Sequence, residues 1–191
     1  MSEPRKIKWL RMIYRMGFFR AAKWLTKNQI RILAYHRFAN GHGSPGYFER
    51  QVCYLKKSFN IIDLQSCLEF LTGRRGKLTN SVLITVDDGY QDFYNVAFPI
   101  LRKYHVPATV FLTVDFIDKR IWLWHDFLNF AIKNTRMINF GLNGRVFDLT
   151  DEREKAELKR DLDGICTSVP TAERDAFTHQ VHKKYVLEID K

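Results

Sequence analysis

Six residues near the middle of the chain constrain its fold more than any other stretch. Residues 81–86 form a continuous run without a charge, rich in β-branched side chains. Such a run is typical of a strand that is covered on both faces in a parallel sheet. Asp87, Asp88 and Gly89 follow it directly. We therefore predict a buried strand whose carboxyl end carries two acidic side chains.

Apolar residues on both sides of this strand alternate between strand and helix spacing. We predict further strands and helices, in chain order, as a strand over 32–38, a helix around 48–55, a strand over 59–62, helices over 64–71 and 95–104, and a strand over 106–112. Strands that alternate with helices indicate βαβ units, and hence a parallel sheet or barrel.

The pattern changes after residue 113. We predict an aromatic helix over 122–132, a small hairpin over 140–147, and charged helices that begin near residues 150 and 171. The expected buried positions in these two helices are Leu158, Leu162, Ile165, Phe177 and Val181. We therefore divide the chain into an N-terminal helix at 1–29, an α/β region at 30–120, and a mostly helical insertion at 121–191.

The positive charge of the chain is concentrated at its start. The net charge is +10, and residues 1–31 carry nine Lys or Arg and one acid, a net +8. Nucleic-acid binding is not expected, because it requires a basic face on the fold itself. Residues 7–25 have an apolar helical face bordered by cations, which suits an anionic membrane surface. The alternative is a helix packed on the domain or on a partner chain.

Neither a membrane span nor a secretion signal is predicted. No segment has the 18 or so uninterrupted apolar residues that a span requires, and cations interrupt every apolar run near the start. We expect a cytosolic protein, either free or peripheral on the inner face of the membrane. Cys53, Cys67 and Cys166 are widely spaced, so we expect reduced, buried thiols and no disulfide framework.

Two adjacent carboxylates at the end of a parallel strand are expected to have a chemical use. Ligand sites of α/β proteins lie at the carboxyl ends of the strands. Two like charges this close raise one pKa unless a cation lies beside them. A divalent metal on one carboxylate and a general-base role for the other resolves the conflict. The alternative is an Asx turn that caps the next helix.

The motif TVDDGY at residues 85–90 resembles the first motif of the polysaccharide deacetylases, the NodB-homology group of carbohydrate esterases. Its flanks are similar too, with LAYHR at 33–37 and ILRKYHVPATVF at 100–111. The resemblance implies a partial, distorted β/α barrel and hydrolysis of N-acetyl groups of amino sugars. It implies Asp87 as the general base and Asp88 as a ligand of a divalent metal, usually zinc.

The second metal motif of that family, His-x-x-x-His, does not occur in this sequence. The nearest pair is His179 and His182, three residues apart on a charged helix, and we expect both to be surface residues. The sequence therefore resembles a deacetylase truncated before its second motif. We expect this chain alone to lack deacetylase activity, because a catalytic zinc normally takes three protein ligands.

Three further residues are candidates for substrate contact. His36 lies near the end of the first predicted strand, Tyr90 follows the acidic pair, and Trp122 is able to stack on a sugar ring. The alternatives are a buried histidine satisfied by backbone groups for His36, aromatic packing over the turn for Tyr90, and core packing of a helix for Trp122. The expected partner is an N-acetylated glycan or a lipid-linked oligosaccharide. The second hypothesis is a non-catalytic membrane-surface or interaction protein that retains half a deacetylase scaffold. A third, phosphoryl or glycosyl transfer with Mg²⁺, is disfavoured because no phosphate-binding loop follows a strand.

Overall fold

The computed structural model describes residues 17–38 and 45–185. The chain divides into two compact units, one that ends at Ile117 and one that begins at Asp118. The predicted N-terminal helix over 7–25 is partly covered: residues 7–16 lie outside the described residues, and Phe18–Leu25 is helical. Among the described residues no helix is long and apolar enough to cross a membrane.

The first unit is a parallel sheet with helical connections. Its elements are α1 (Phe18–Leu25), β1 (Arg31–Tyr35), α2 (Pro45–Ser58), β2 (Asn60–Ile62), α3 (Leu64–Leu71), β3 (Ser81–Asp88), a π-helical turn (Phe93–Ala97) that continues as α4 (Phe98–Lys103), β4 (Thr109–Leu112) and α5 (Val114–Ile117). The predicted α/β class with parallel strands is confirmed.

β3 is the central strand because every other strand of the sheet pairs with it. β1 runs parallel to β3 with Arg31 opposite Val82 and Tyr35 opposite Val86. β2 pairs with the amino-terminal half of β3, and β4 pairs with its carboxyl-terminal half, where Asp88 lies opposite Leu112. The strand predicted from the apolar run therefore organises the whole sheet, and it ends two residues later than predicted.

Both faces of β3 are covered, which explains why its sequence does not alternate between apolar and polar residues. Ile84 and Val86 belong to one core cluster, together with Phe48 and Val52 of α2. Leu83 belongs to a second cluster with further apolar residues from β2, α3 and the segment before β3. Successive side chains of a strand point to opposite faces, so a strand covered on both faces needs apolar residues throughout.

The helix before β4 contains a proline inside its helical stretch. Pro99 has no N–H to donate, and its ring conflicts with the carbonyl four residues earlier in a regular α-helix. The π-helical turn Phe93–Ala97 lies where this conflict occurs and continues directly into α4. A π turn offsets the hydrogen bonds by one residue, so the helical stretch begins before Pro99 without a break. The helical stretch that contains Pro99 therefore starts slightly before residue 95, where the sequence predicted its start.

The second unit is mostly helical with one hairpin. Its elements are α6 (Trp124–Asn134), β5 (Asn139–Leu142), β6 (Arg145–Asp148), α7 (Glu152–Ser168) and α8 (Thr171–Tyr185). Leu158 and Leu162 are buried as predicted, but Ile165 is only part-buried and Cys166 is fully buried. The sequence interpretation chose the larger apolar residue, whereas the pitch of α7 turns its smaller neighbour into the core.

The expectation of three buried thiols is wrong at one position. Cys67 and Cys166 are buried, but Cys53 is exposed on α2, and all three are free. α2 packs through Phe48, Val52 and Leu55, which leave Cys53 on the outer side of the helix. Adjacent positions on a helix differ by about 100°, so one residue of offset from Val52 is enough to expose it.

Candidate functional site

The two aspartates stand at the carboxyl end of the central strand. The first six residues of β3 are buried, and Asp87 and Asp88 are part-buried. The backbone of Asp88 is left-handed with φ 71°, and Gly89 follows with φ 81°. The Gly89 N–H donates to the Asp87 carbonyl oxygen over 2.9 Å. The chain therefore turns sharply directly after the acidic pair.

Gly89 is required for space as well as for backbone conformation. A Cβ at this position would lie 2.7 Å from Cδ2 of Leu112 and 2.8 Å from Cδ1 of Ile117. A non-glycine residue with φ near 80° also carries a conformational cost. The end of β4 and the helix after it thus press against the turn that presents Asp88.

His36 reaches the same end of the sheet from the neighbouring strand. β1 and β3 are parallel, and Tyr35 lies opposite Val86, so the residues that follow, His36 and Asp87, are level. Nε2 of His36 lies 3.6 Å from Oδ2 of Asp87. The His36 side chain is 57% exposed and that of Asp87 is 33% exposed, so both are accessible to a ligand. The register of two strands about 50 residues apart in the chain creates this pair.

A second set of contacts ties the loop after β1 to the turn after β3. The guanidinium of Arg37 lies 3.9 Å from the centroid of the Tyr90 ring, and its Nε lies 3.6 Å from Oδ2 of Asp92. The backbone N–H of Phe38 donates to the same Asp92 oxygen over 2.9 Å. These contacts hold the segment that carries His36 beside the segment that carries the aspartates.

Tyr90 has a packing role in this arrangement. Its ring is 7% exposed, lies under Arg37, and meets the ring of Phe116 edge-on at 5.4 Å between centroids. The substrate contact suggested for Tyr90 stays a prediction, and the alternative, aromatic packing over the turn, describes the geometry that the structure shows.

The sequence interpretation did not identify Arg37 or Asp92 as part of this site. Arg37 lies inside a stretch that resembled the family, but nothing local marks it as a partner of Tyr90. Asp92 accepts a hydrogen bond from a residue 54 positions earlier. A pairing of that separation leaves no periodic signal in a single sequence, so only the folded structure reveals it.

Trp122 belongs to the second unit. Its side chain is 61% exposed and lies 5.2 Å from the Phe130 ring, centroid to centroid. His179 is exposed on α8. The role of Trp122 in stacking on a sugar stays a prediction.

The donors around Asp88 suit a divalent cation in kind but not in number. Carboxylate oxygen and imidazole nitrogen are both ligands of zinc. Within residues 17–38 and 45–185, however, no three His, Cys, Asp or Glu side chains come together as a group able to hold a metal ion. The described residues therefore do not fit a complete catalytic metal site, and Asp88 is at most one of its ligands.

Residues 74–162 match the family model described as polysaccharide deacetylase. YxkH of Bacillus subtilis (strain 168), assigned by name to the polysaccharide deacetylases, is 27% identical over 137 residues, which cover 66% of this chain and 48% of that protein. The poly-β-1,6-N-acetyl-D-glucosamine N-deacetylase of Staphylococcus epidermidis is 38% identical over 72 residues, which cover 37% of this chain and 24% of that protein.

Among solved structures, IcaB from Ammonifex degensii is similar with 27% identity and a TM-score of 0.45, over 52% of this chain and 47% of that one. The chain thus spans about half the length, or less, of the relatives that it matches. The matched segment contains β3, the acidic pair and the turn at Gly89. Residues 74–162 of this chain are therefore similar to the polysaccharide deacetylases.

Proposed function

We propose that this chain supplies the acidic half of an active site that removes N-acetyl groups from amino-sugar glycans. The observation that supports it best is the geometry at the end of β3, where Asp87 and Asp88 adjoin on a left-handed turn and His36 lies 3.6 Å from Asp87. N-deacetylation adds water across an amide, so it needs a group that accepts a proton from water and a group that donates one to the leaving nitrogen.

In this proposal Asp87 is the proton acceptor. Its side chain is one-third exposed, so water reaches it. It is not committed to a buried ion pair, because its described neighbour His36 is itself more than half exposed. A carboxylate bound tightly to a cation is a poor base, which assigns the role of metal ligand to the adjacent Asp88. A divalent metal, usually zinc in this family, would polarise the acetyl carbonyl if Asp88 and further ligands held it there.

His36 is proposed as the proton donor to the sugar nitrogen. Its Nε2 lies 3.6 Å from Asp87, and its exposure leaves the ring open to substrate. In the proposed step, water passes a proton to Asp87 as its oxygen bonds to the acetyl carbon, and the C–N bond then breaks as the nitrogen takes a proton from protonated His36. The products are a free amine and acetic acid, which ionises to acetate, and transfer of the proton from Asp87 back to His36 restores the starting state. General acid catalysis of this kind contributes roughly a hundredfold or more to the rate.

We further propose that the remaining metal ligands lie outside the described residues. Three protein ligands and a water are usual for catalytic zinc, and Asp88 provides at most one of them here. Because the sequence also lacks the family's His-x-x-x-His pair, we propose that residues 1–191 alone are inactive. We also propose that residues 30–120 are part of the deacetylase scaffold and that residues 121–191 are an insertion in it. A location on the cytosolic side of the membrane is proposed as well.

The test is an acetate-release assay on oligomers of β-1,6-linked N-acetylglucosamine with added Zn²⁺. It is run on residues 1–191 and on the longest reading frame that contains them. We expect turnover only in the longer form, and its loss in Asp87→Asn and Asp88→Asn. Asp161→Asn is the matched control, because Asp161 is an exposed aspartate on α7. A longer form whose activity survives both substitutions would refute the site.

Two further results separate the roles. In the longer form, His36→Ala is expected to lower kcat about a hundredfold. Added imidazole is expected to restore activity to this variant, which a purely structural role of His36 would not allow. Turnover by residues 1–191 that Asp88→Asn abolishes would contradict the incomplete metal site.

The absence of a three-ligand cluster among the described residues favours one second candidate, a non-catalytic interaction protein on the same scaffold. Binding of the N-acetylated oligomers without turnover in any form, and unchanged by Asp88→Asn, would support that candidate instead.

A further inference from the structure

In helix α1, the apolar side chains whose burial the structure describes are exposed. Phe18 is 62% exposed, Trp24 is 64% exposed and Leu25 is 72% exposed. Ala21 and Ala22 are exposed as well. An amphipathic helix that packs on its own domain normally buries this face and leaves its cations in water.

In α1 the arrangement is reversed, because a lysine makes the contact with the rest of the first unit. Nζ of Lys23 donates to the Ser58 carbonyl oxygen and lies 4.5 Å from the centroid of the Phe59 ring. Arg31 adds a second cation 5.1 Å from the same ring, and it donates to Oγ1 of Thr26 just after the helix over 2.5 Å. Polar and cation–π contacts therefore hold the helix in place, and its apolar face is left outward.

The cations around this face determine what it suits. Arg20 is exposed within α1, and Nζ of Lys27 lies 5.1 Å from the Trp24 ring. Residues 1–31 carry a net charge of +8. An exposed apolar face of Phe, Trp and Leu bordered by Lys and Arg matches an anionic bilayer, which accepts the apolar groups below its headgroups and attracts the cations.

We propose that α1 docks the protein on the surface of an anionic membrane through Phe18, Trp24 and Leu25. The proposal does not depend on deacetylation, since no residue of α1 takes part in the proposed chemistry.

The position of α1 also orients the protein. Its contacts reach Ser58, just before β2, and the Asn80 N–H just before β3 donates to the Lys27 carbonyl oxygen over 2.5 Å. α1 thus lies at the amino-terminal edge of the sheet, whereas Asp87 and Asp88 lie at its carboxyl edge. A strand of eight residues separates the two edges by roughly 25 Å. Docking through α1 places the acidic pair on the side away from the bilayer.

The experiment is co-sedimentation of the full chain with vesicles of phosphatidylcholine alone or mixed equally with phosphatidylglycerol. We expect binding to the anionic vesicles that weakens as salt is raised. Trp24→Ser with Leu25→Ser is expected to weaken it about tenfold or more, because each side chain loses its transfer from water. Arg20→Gln with Lys27→Gln is expected to weaken it roughly fivefold per cation. Val146→Ser, which removes a 65% exposed side chain of the second unit, is the control.

Unchanged binding in the Trp24→Ser, Leu25→Ser variant, or equal binding to neutral vesicles, would overturn the proposal. A wild-type chain that forms a dimer and does not bind vesicles would also overturn the proposal if the Trp24→Ser, Leu25→Ser variant is monomeric. The apolar face would then bind a second copy of the chain. Circular dichroism verifies folding; if the apolar variant unfolds, the Arg20→Gln, Lys27→Gln variant decides between the outcomes.

The orientation is tested with nitroxide labels in a Cys53→Ser background. A label at Ala21→Cys is expected to become accessible to oxygen dissolved in the bilayer, and a label at Gln91→Cys, beside the acidic turn, is not. A Gln91 label that enters the bilayer would refute the orientation.

Discussion

Gly89→Ala is expected to destabilise the first unit and to displace the acidic pair. Two separate costs act at this position. The backbone is left-handed with φ 81°, and a new Cβ would lie 2.7 Å from a methyl carbon of Leu112 and 2.8 Å from one of Ile117. Because Asp88 precedes this turn, any shift that relieves the overlap also moves its carboxylate.

The two costs can be separated with a matched glycine. Gly73, also in the first unit, has φ 72°, and a Cβ added there would meet no atom within 4 Å, so Gly73→Ala carries the backbone cost alone. That cost is roughly 1–2 kcal/mol. Overpacking adds about 1–3 kcal/mol, and Leu112 and Ile117 are 57% and 45% exposed, so they can partly yield. We therefore expect Gly89→Ala to exceed Gly73→Ala by about 1 kcal/mol.

The measurement is urea unfolding of the full chain, followed by circular dichroism for the wild type and both variants. Since both glycines belong to the first unit, the same transition reports on them. Equal destabilisation by the two substitutions would show that Leu112 and Ile117 do not press on the turn. Gly89→Ala with wild-type stability would refute the left-handed conformation as well.

Two other predictions concern the helix caps and the thiols. Asp63→Ala is expected to cost about 1 kcal/mol, because the Asp63 carboxylate accepts the Ser66 N–H at the start of α3. That hydrogen bond lowers the pKa of Asp63 below its ordinary 3.8, so the stabilisation is complete above this pH and is lost as the pH falls through the lower folded value. Urea unfolding as a function of pH checks both points. A thiol reagent near pH 8 is expected to modify the exposed Cys53 first and Cys166 last, because burial raises the pKa of Cys166; mass spectrometry of peptides gives the order.

An Asp63→Ala difference that persists unchanged in strong acid would mean that the carboxylate is not the cap. Modification of Cys166 at the rate of Cys53 would mean that α7 does not bury Cys166 in the core of the second unit.

Much of the local structure was determined by nearby residues. Helix α3 occupies Leu64–Leu71 as predicted, because Asp63 caps its start and Gly73 follows its end. The apolar run before Asp87 became the central strand, since only a strand covered on both faces accommodates it. Apolar periodicity and caps act within a few residues, so the order of strands and helices is readable without tertiary contacts.

The composition of the candidate site was decided by the tertiary structure. The sequence alone predicted the acidic pair, Asp87 and Asp88, as a candidate site. The parallel register of β1 and β3 places His36 beside this pair. The same applies to Asp92, which joins Phe38 across 54 residues.

The tertiary structure also decided which face of a helix is buried. The sequence determined that α1 has an apolar face and basic neighbours, but the contact of Lys23 with Ser58 turned that face outward. On α2, the burial of Val52 left Cys53 exposed. Periodicity shows that a helix has two different faces, whereas the partner packed against it determines which of them meets the core, and that partner is distant in the chain.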